Sequence, residues 1–266
     1  MQPLLIDASD LSKWVIRLWW PILRIGGFVL TAPLLSGAIV PTPVKIALSI
    51  GLAFILAPLA PVPDALSIFS GAGVLAAAQE VLIGIAIGMM VQLAFEALVF
   101  AGESVSLTMG LGFATLVDPQ HGADTPVLGQ LFTIFGTLTY LAVNGHLILI
   151  GALARSFESL PIGGANIDRN LLWLIAGWGA RVFETGLLIA LPAVIALVIV
   201  NLALGVVTRA APQLNLFGIG FTITLMSGFL VLMVGLDGLM MGISSLIGSS
   251  LAAVNDMIGS HAAAVP

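Results

Sequence analysis

The stretch ALSIFSGAGVLAAAQEVLIGIAIGMMVQLAFEALVFAGESVSL, residues 65–107, decides the fold class. Its 43 residues hold three charges, Glu80, Glu96 and Glu103, with Gln79 beside the first and Gln92 inside the apolar run. A bilayer's hydrocarbon core is crossed by roughly 20 apolar residues in a helix. As one helix the stretch reaches about 65 Å at 1.5 Å per residue, against a core near 30 Å. It is either a helical hairpin folded back within the layer or one long helix standing proud of it. Lipid leaves backbone groups no water to bond, so helix is the state it can adopt, and no strand-like alternation is present.

Further apolar segments run over about 14–40, 44–63, 128–153, 170–209 and 216–250. Segment 170–209 is equally overlong and carries Pro192, which predicts a kink or break. The fold class is all-α: a multi-helix integral membrane protein, one domain over 1–266 with about six apolar segments and a loop, 108–128, between the third and fourth. The whole chain agrees. Its 266 residues are 59% hydrophobic and 8% charged, against roughly 25% charged in a soluble domain, and mean hydropathy is +1.17. Disorder is excluded by the same numbers. A net charge of −5 without a basic run excludes nucleic acid as a partner. Zero Cys removes disulfides and thiolate chemistry. The start, MQPLLIDASDLSKW, lacks the pattern of a cleaved signal, so the N-terminus is expected to be retained. Lys13, Arg17, Arg24, Arg155 and Arg169 are too evenly spread to set an orientation.

Ionisable groups inside apolar segments cost a few kcal/mol each at membrane depth, so each needs a role. Gln92, Glu96 and Glu103 fall within about 40° on a helix and form one polar stripe. It is either a pore lining or proton path or, preferably, a set of contacts between helices or subunits. Glu80 points to the opposite side and is expected near a helix end. Arg181 and Glu184, spaced i, i+3, predict an ion pair on one face, beside Trp173 and Trp178, ring types favoured at membrane interfaces. Asp237 needs a partner that the sequence does not name. Gly84 and Gly88 form a GxxxG, read as close packing within the chain. Met226, Met233 and Met240 recur every seven residues on one expected face, either ordinary packing or a deformable seal. No HExxH, GxSxG or nucleophile–base pair is present, and GLGF at 110–113 lacks the spacing of a dinucleotide site. The chain is therefore read as non-enzymatic, without cofactor, catalytic or metal residues. His146, after Asn144-Gly145, reads as a hydrogen-bonded helix-end residue.

The segment TMGLGFATLVDPQHGADTPVL, 108–128, contains Gly110, Gly112, Pro119, Gly122 and Pro126, which prevent a continuous helix. Leu111, Phe113, Leu116 and Val117 make it too apolar for a solvated loop. At membrane depth such backbone is tolerated only when packed in protein or lining a cavity. On pattern it is a packed connecting loop, with a gate as the alternative.

Four blocks, GLGFATLVDPQHGADTPVLGQL (110–131), NGHLILI (144–150), SFESLPIG (156–163) and GVVTRAAPQLNLFGIGF (205–221), resemble the flagellar FliR family, which extends to the matching subunits of virulence type III secretion systems. The likeness covers essentially the whole chain. Thr222 departs from it where the family commonly has Pro, which bears on a break in the last helix. The resemblance implies a subunit of a protein-export gate in the bacterial inner membrane at the flagellar basal body, standing partly above the membrane plane. It implies long, bent helical hairpins in a ring with FliP-like and FliQ-like subunits, an FlhB-like neighbour, surrounding lipid and unfolded export substrates. It further implies that the loop is a pore plug, with Leu111, Phe113, Leu116 and Val117 as the stopper and Gly110 and Gly112 as hinges. Arg209, Gln213 and Asn215 would make dense polar contacts to neighbouring chains. A virulence-system subunit is the nearest alternative. A small-solute transporter with a site framed by broken helices and an intramembrane enzyme are the rivals.

Overall fold

The structure is a computed structural model. It describes the backbone of residues 8–37, 40–63, 66–112, 127–164, 169–210 and 216–262, and side chains over 17–37, 40–63, 66–112, 127–164, 173–210 and 220–259. The described residues form eight α-helices and no strand: α1 Ala8–Thr31, α2 Thr42–Leu56, α3 Gly71–Thr108, α4 Val127–Ala142, α5 Gly145–Ser159, α6 Arg169–Ala210, α7 Leu216–Val234 and α8 Leu236–Ala262. A single 3-10 turn, Ala57–Leu59, extends α2.

The overlong segments are single helices. α3 has 38 residues and α6 has 42, about 57 and 63 Å of rise. The hairpin reading of these segments is overturned. Pro192 lies inside α6; it removes one donor to the preceding turn, and the flanking Leu, Ile, Val and Ala side chains carry the helix on. The broken helix that had hinted at a transporter site is therefore absent from 170–209. Two other segments divide. The apolar run 128–153 becomes α4 and α5 around Asn144, whose φ of 54° is left-handed and comes at low cost to Asn. The run 216–250 becomes α7 and α8 at Gly235, so Met226 and Met233 share a helix while Met240 belongs to the next one. α7 passes through Thr222 unbroken.

The chain forms two compact units, one of residues 1–92, 144–178 and 250–266, the other of 93–143 and 179–249. In the first, α2 packs on α1, and α1 lies against the first half of α3 at glycine-lined crossings. A Cβ at Gly84 would overlap the Arg24 carbonyl, and one at Gly88 would overlap Thr31 Oγ1 and press on the Ala32 nitrogen. The GxxxG thus packs within the chain, as read. In the second, a Cβ at Gly102 would stand 2.6 Å from Gly129 Cα, and one at Gly186 would stand 2.8 Å from the Ala97 carbonyl. Backbones approach this closely where small residues let them, since lipid supplies no drive toward association.

α3 carries the core. Ala76, Glu80, Ile83, Ile87, Val91, Ala94, Leu98, Ala101 and Val105 are all buried, at spacings of four and three. That is the stripe of a helix covered by neighbours along its length.

Candidate functional site

Two polar constructions stand out, one in each unit. The first is centred on Arg24. Its Nε donates to Glu80 Oε2 at 2.8 Å and its Nη2 to Glu80 Oε1 at 3.0 Å, the bidentate fork that fits guanidinium to carboxylate. Nη2 also donates to the Leu160 carbonyl at 2.7 Å, and Nη1 to the Ser156 carbonyl and hydroxyl at 2.6 and 3.1 Å. The guanidinium lies 4.3 Å from the Phe157 ring centroid, adding a cation–π contact. Arg24, Glu80 and Ser156 are fully buried. The arrangement ties α1, α3 and α5 together and satisfies every guanidinium nitrogen. Glu80 therefore does not sit near a helix end as expected; it occupies a core position because Arg24 neutralises it. The cue was in the sequence: Glu80 stands in register with the apolar stripe.

The second construction is the end of α3. Gly110 has φ 84°. Its N–H donates to the Leu107 carbonyl at 3.0 Å, and the Leu111 N–H reaches back to Ser106 at 3.1 Å. This is a Schellman stop, which needs a left-handed residue and favours glycine. Met109 is fully buried, and a Cβ at Gly228 of α7 would collide with its side chain. Beyond the loop, Leu128 and Phe132 are buried and Gly129 lies against Val99 and Gly102. Phe95 meets Tyr140 edge-on at 5.8 Å, and Phe100 packs on Phe183 at 5.4 Å. Both ends of the 108–128 segment thus leave from a packed pair of helices.

Asn201, which the sequence reading passed over, completes this end. Its Nδ2 donates to the Thr108 carbonyl at 3.0 Å, and its Oδ1 accepts from Thr224 Oγ1 at 3.1 Å. It is the sole polar side chain in GLLIALPAVIALVIVNLALG, 186–205, which was the available cue.

The remaining residues divide as follows. Glu96 is exposed on the side of α3 away from the buried stripe, with Gln92 and Glu103 half-buried beside it. Arg181 and Glu184 are both exposed, and among the described residues no salt bridge joins them; the expected pair is replaced by two outward-facing charges. Trp178 donates to the Met90 carbonyl at 2.9 Å, so its ring clamps α6 to α3. Asp237 and Arg209 are exposed. His146 Nδ1 is buried without a hydrogen-bond partner among the described residues, contrary to its expected bonded state. Phe113, Leu116, Val117, Gln213 and Asn215 lie outside the described residues. Among the described residues no group of His, Cys, Asp and Glu could hold a metal ion.

Among the described residues four helices are long and apolar enough to cross a membrane, or five spans if the bent pair α4 and α5 forms one, and many of their large apolar side chains are exposed. This defines an all-α integral membrane protein.

Its family follows from comparison. Residues 15–250 match the family described as bacterial export proteins, family 1, and the chain belongs to that family. It is 41% identical over 223 residues to the flagellar biosynthetic protein FliR of Escherichia coli (strain K12), covering 84% of this chain and 85% of that protein. Against FliR of Pectobacterium carotovorum subsp. carotovorum identity is 39% over 229 residues, 86% and 87% of the two chains. Against FliR of Aquifex aeolicus (strain VF5) it is 31% over 232 residues, 87% and 89%. The resemblance carried by the four sequence blocks is borne out.

Proposed function

We propose that the chain is a non-enzymatic subunit of the flagellar type III protein-export gate in the bacterial inner membrane. In this reading it completes an export channel with FliP-like and FliQ-like subunits, beside an FlhB-like one. Its loop from Gly110 to Val127 plugs the channel when no substrate passes. The observation that carries the reading is the anchoring of that loop. An apolar segment leaves a fixed Schellman stop at Gly110 and rejoins the chain at the buried Leu128, beside the Gly102–Gly129 crossing. The flagellar branch is preferred to the virulence branch because the relatives compared bear the flagellar name.

The physics is simple. A pore wide enough for an unfolded chain must hold back ions when idle, and apolar side chains do so by dewetting the constriction. Leu111, Phe113, Leu116 and Val117 supply that surface, and a few such groups are displaced cheaply by an arriving substrate. Gly110, held in the Schellman stop, sets where the plug begins, and Gly112 serves with it as the hinge of the segment. The exposed Glu96, Arg181, Glu184 and Arg209, with Gln92, Glu103, Gln213 and Asn215, serve as polar contacts between helices or to neighbouring subunits. Deleting Gly110 to Val117 leaves cells permeable to ions or small dyes, with the complex still recovered from detergent. An intact barrier around a correctly assembled complex overturns the plug.

A further inference from the structure

The last carbonyls of a helix have no partner within it. At the end of α3 the Schellman bonds serve Leu107 and Ser106, which leaves the Thr108 carbonyl to Asn201. The same amide accepts the Thr224 hydroxyl, so one side chain joins α3, α6 and α7 at the level where the chain turns toward the loop. Apolar packing is open nearby. A groove of about 680 Å³ is lined by Val105 of α3, Phe132 of α4, Leu188 of α6, Leu230 and Val231 of α7 and Leu239 of α8. Beside this space the Asn201 bonds and Met109 against Gly228 join α7 to α3. Asn201 itself is exposed on α6, and the Thr224 hydroxyl also lies 3.0 Å from the Gly220 carbonyl of its own helix, so each bond contributes the modest net amount of an ordinary hydrogen bond.

We propose that Asn201 is a positioning residue that fastens the last turn of α3 to α7 and so fixes the direction in which the chain leaves Gly112. This rests on the plug reading, since a barrier loop needs a set departure angle. Asn201 takes no part in the barrier itself. Removing its bonds frees the last turn of α3, and the idle channel opens more often.

The test uses the full complex in cells that depend on this chain, with dye or ion leak measured per complex recovered in detergent. Asn201→Leu and Thr224→Val raise that leak roughly five- to ten-fold, the size expected from losing one or two such bonds. Thr224→Ser keeps the hydroxyl and keeps the channel tight. In a chain already lacking Gly110 to Val117, Asn201→Leu adds nothing. Because Thr224→Val preserves shape, it carries the test even where Asn201→Leu lowers assembly. Fewer complexes with unchanged leak in each, for both variants, means a merely structural role and overturns the proposal. Leak from the loop deletion without leak from Asn201→Leu or Thr224→Val overturns the positioning role alone. A tight loop deletion overturns the plug and the positioning role together.

Discussion

α3 and α6 are close to equal in length and both strongly apolar, yet their surroundings are opposite. The most apolar stretch of α3 has a mean hydropathy of 2.1 and is 61% buried within the chain; that of α6 has 2.8 and is 11% buried. The more hydrophobic stretch is the more exposed one. Hydropathy reports that a helix avoids water, and it does not report what covers the helix. α3 meets its own chain through a four-three stripe and glycine crossings. α6 presents Ile195, Ile199, Leu202 and Val206 outward, a face for lipid or for sister chains.

The largest expected effect tests whether α3 is a true interior. Arg24→Met leaves the Glu80 carboxylate buried without its partner, which costs about 3–5 kcal/mol. The chain's melting temperature in detergent should fall sharply, and yield with it. Arg181→Met, on the exposed face of α6, removes a charge with no salt bridge among the described residues and should stay within about 0.5 kcal/mol. Combining Arg24→Met with Glu80→Leu should recover most of the loss, since apolar replacement of a buried pair is often neutral. Equal melting of the two single variants would erase the distinction between the helices.

The next effect concerns backbone spacing. Gly84 meets the Arg24 backbone, whereas a Cβ at Gly177 of α6 meets nothing within 4 Å. Gly84→Ala must push α1 from α3, costing about 1–3 kcal/mol and loosening the Arg24–Glu80 bonds beside it. Gly177→Ala should instead stabilise by roughly 0.5–1 kcal/mol through helix propensity. The sign of the difference, read from paired thermal melts, is the sharp part of the test.

This asymmetry also explains what could be read from the sequence. Helical class, membrane character and family follow from composition, segment length and local motifs, because these are properties of the chain alone. The internal use of Gly84 and Gly88 was legible for the same reason. Glu80 was misplaced because periodicity gives its direction on the helix while its partner Arg24 lies 56 residues away. The breaks at Asn144 and Gly235 escaped the segment count because one residue in a turn barely changes mean hydropathy. The role of Asn201 was not legible because a lone amide sits in no motif and its partners Thr108 and Thr224 lie 93 and 23 residues away. Arg181 and Glu184 show the converse: i, i+3 spacing permits a pair, but exposed side chains gain little by forming one.

The smallest effect on the isolated chain is the most informative about α6. Leu202 is 66% exposed, so Leu202→Ala removes few contacts within the chain and should change its melting by less than about 0.5 kcal/mol. If the outer face of α6 is covered by sister subunits, the same substitution opens a void at a packed interface, and packed interiors feel the loss of even a methylene. Recovery of the assembled complex from detergent should then drop while the isolated chain is unaltered. If lipid covers the face, mobile acyl chains fill the gap and both measurements stay flat. α3 offers no such separation, because a truncation at the buried Leu98 harms the chain before any partner arrives.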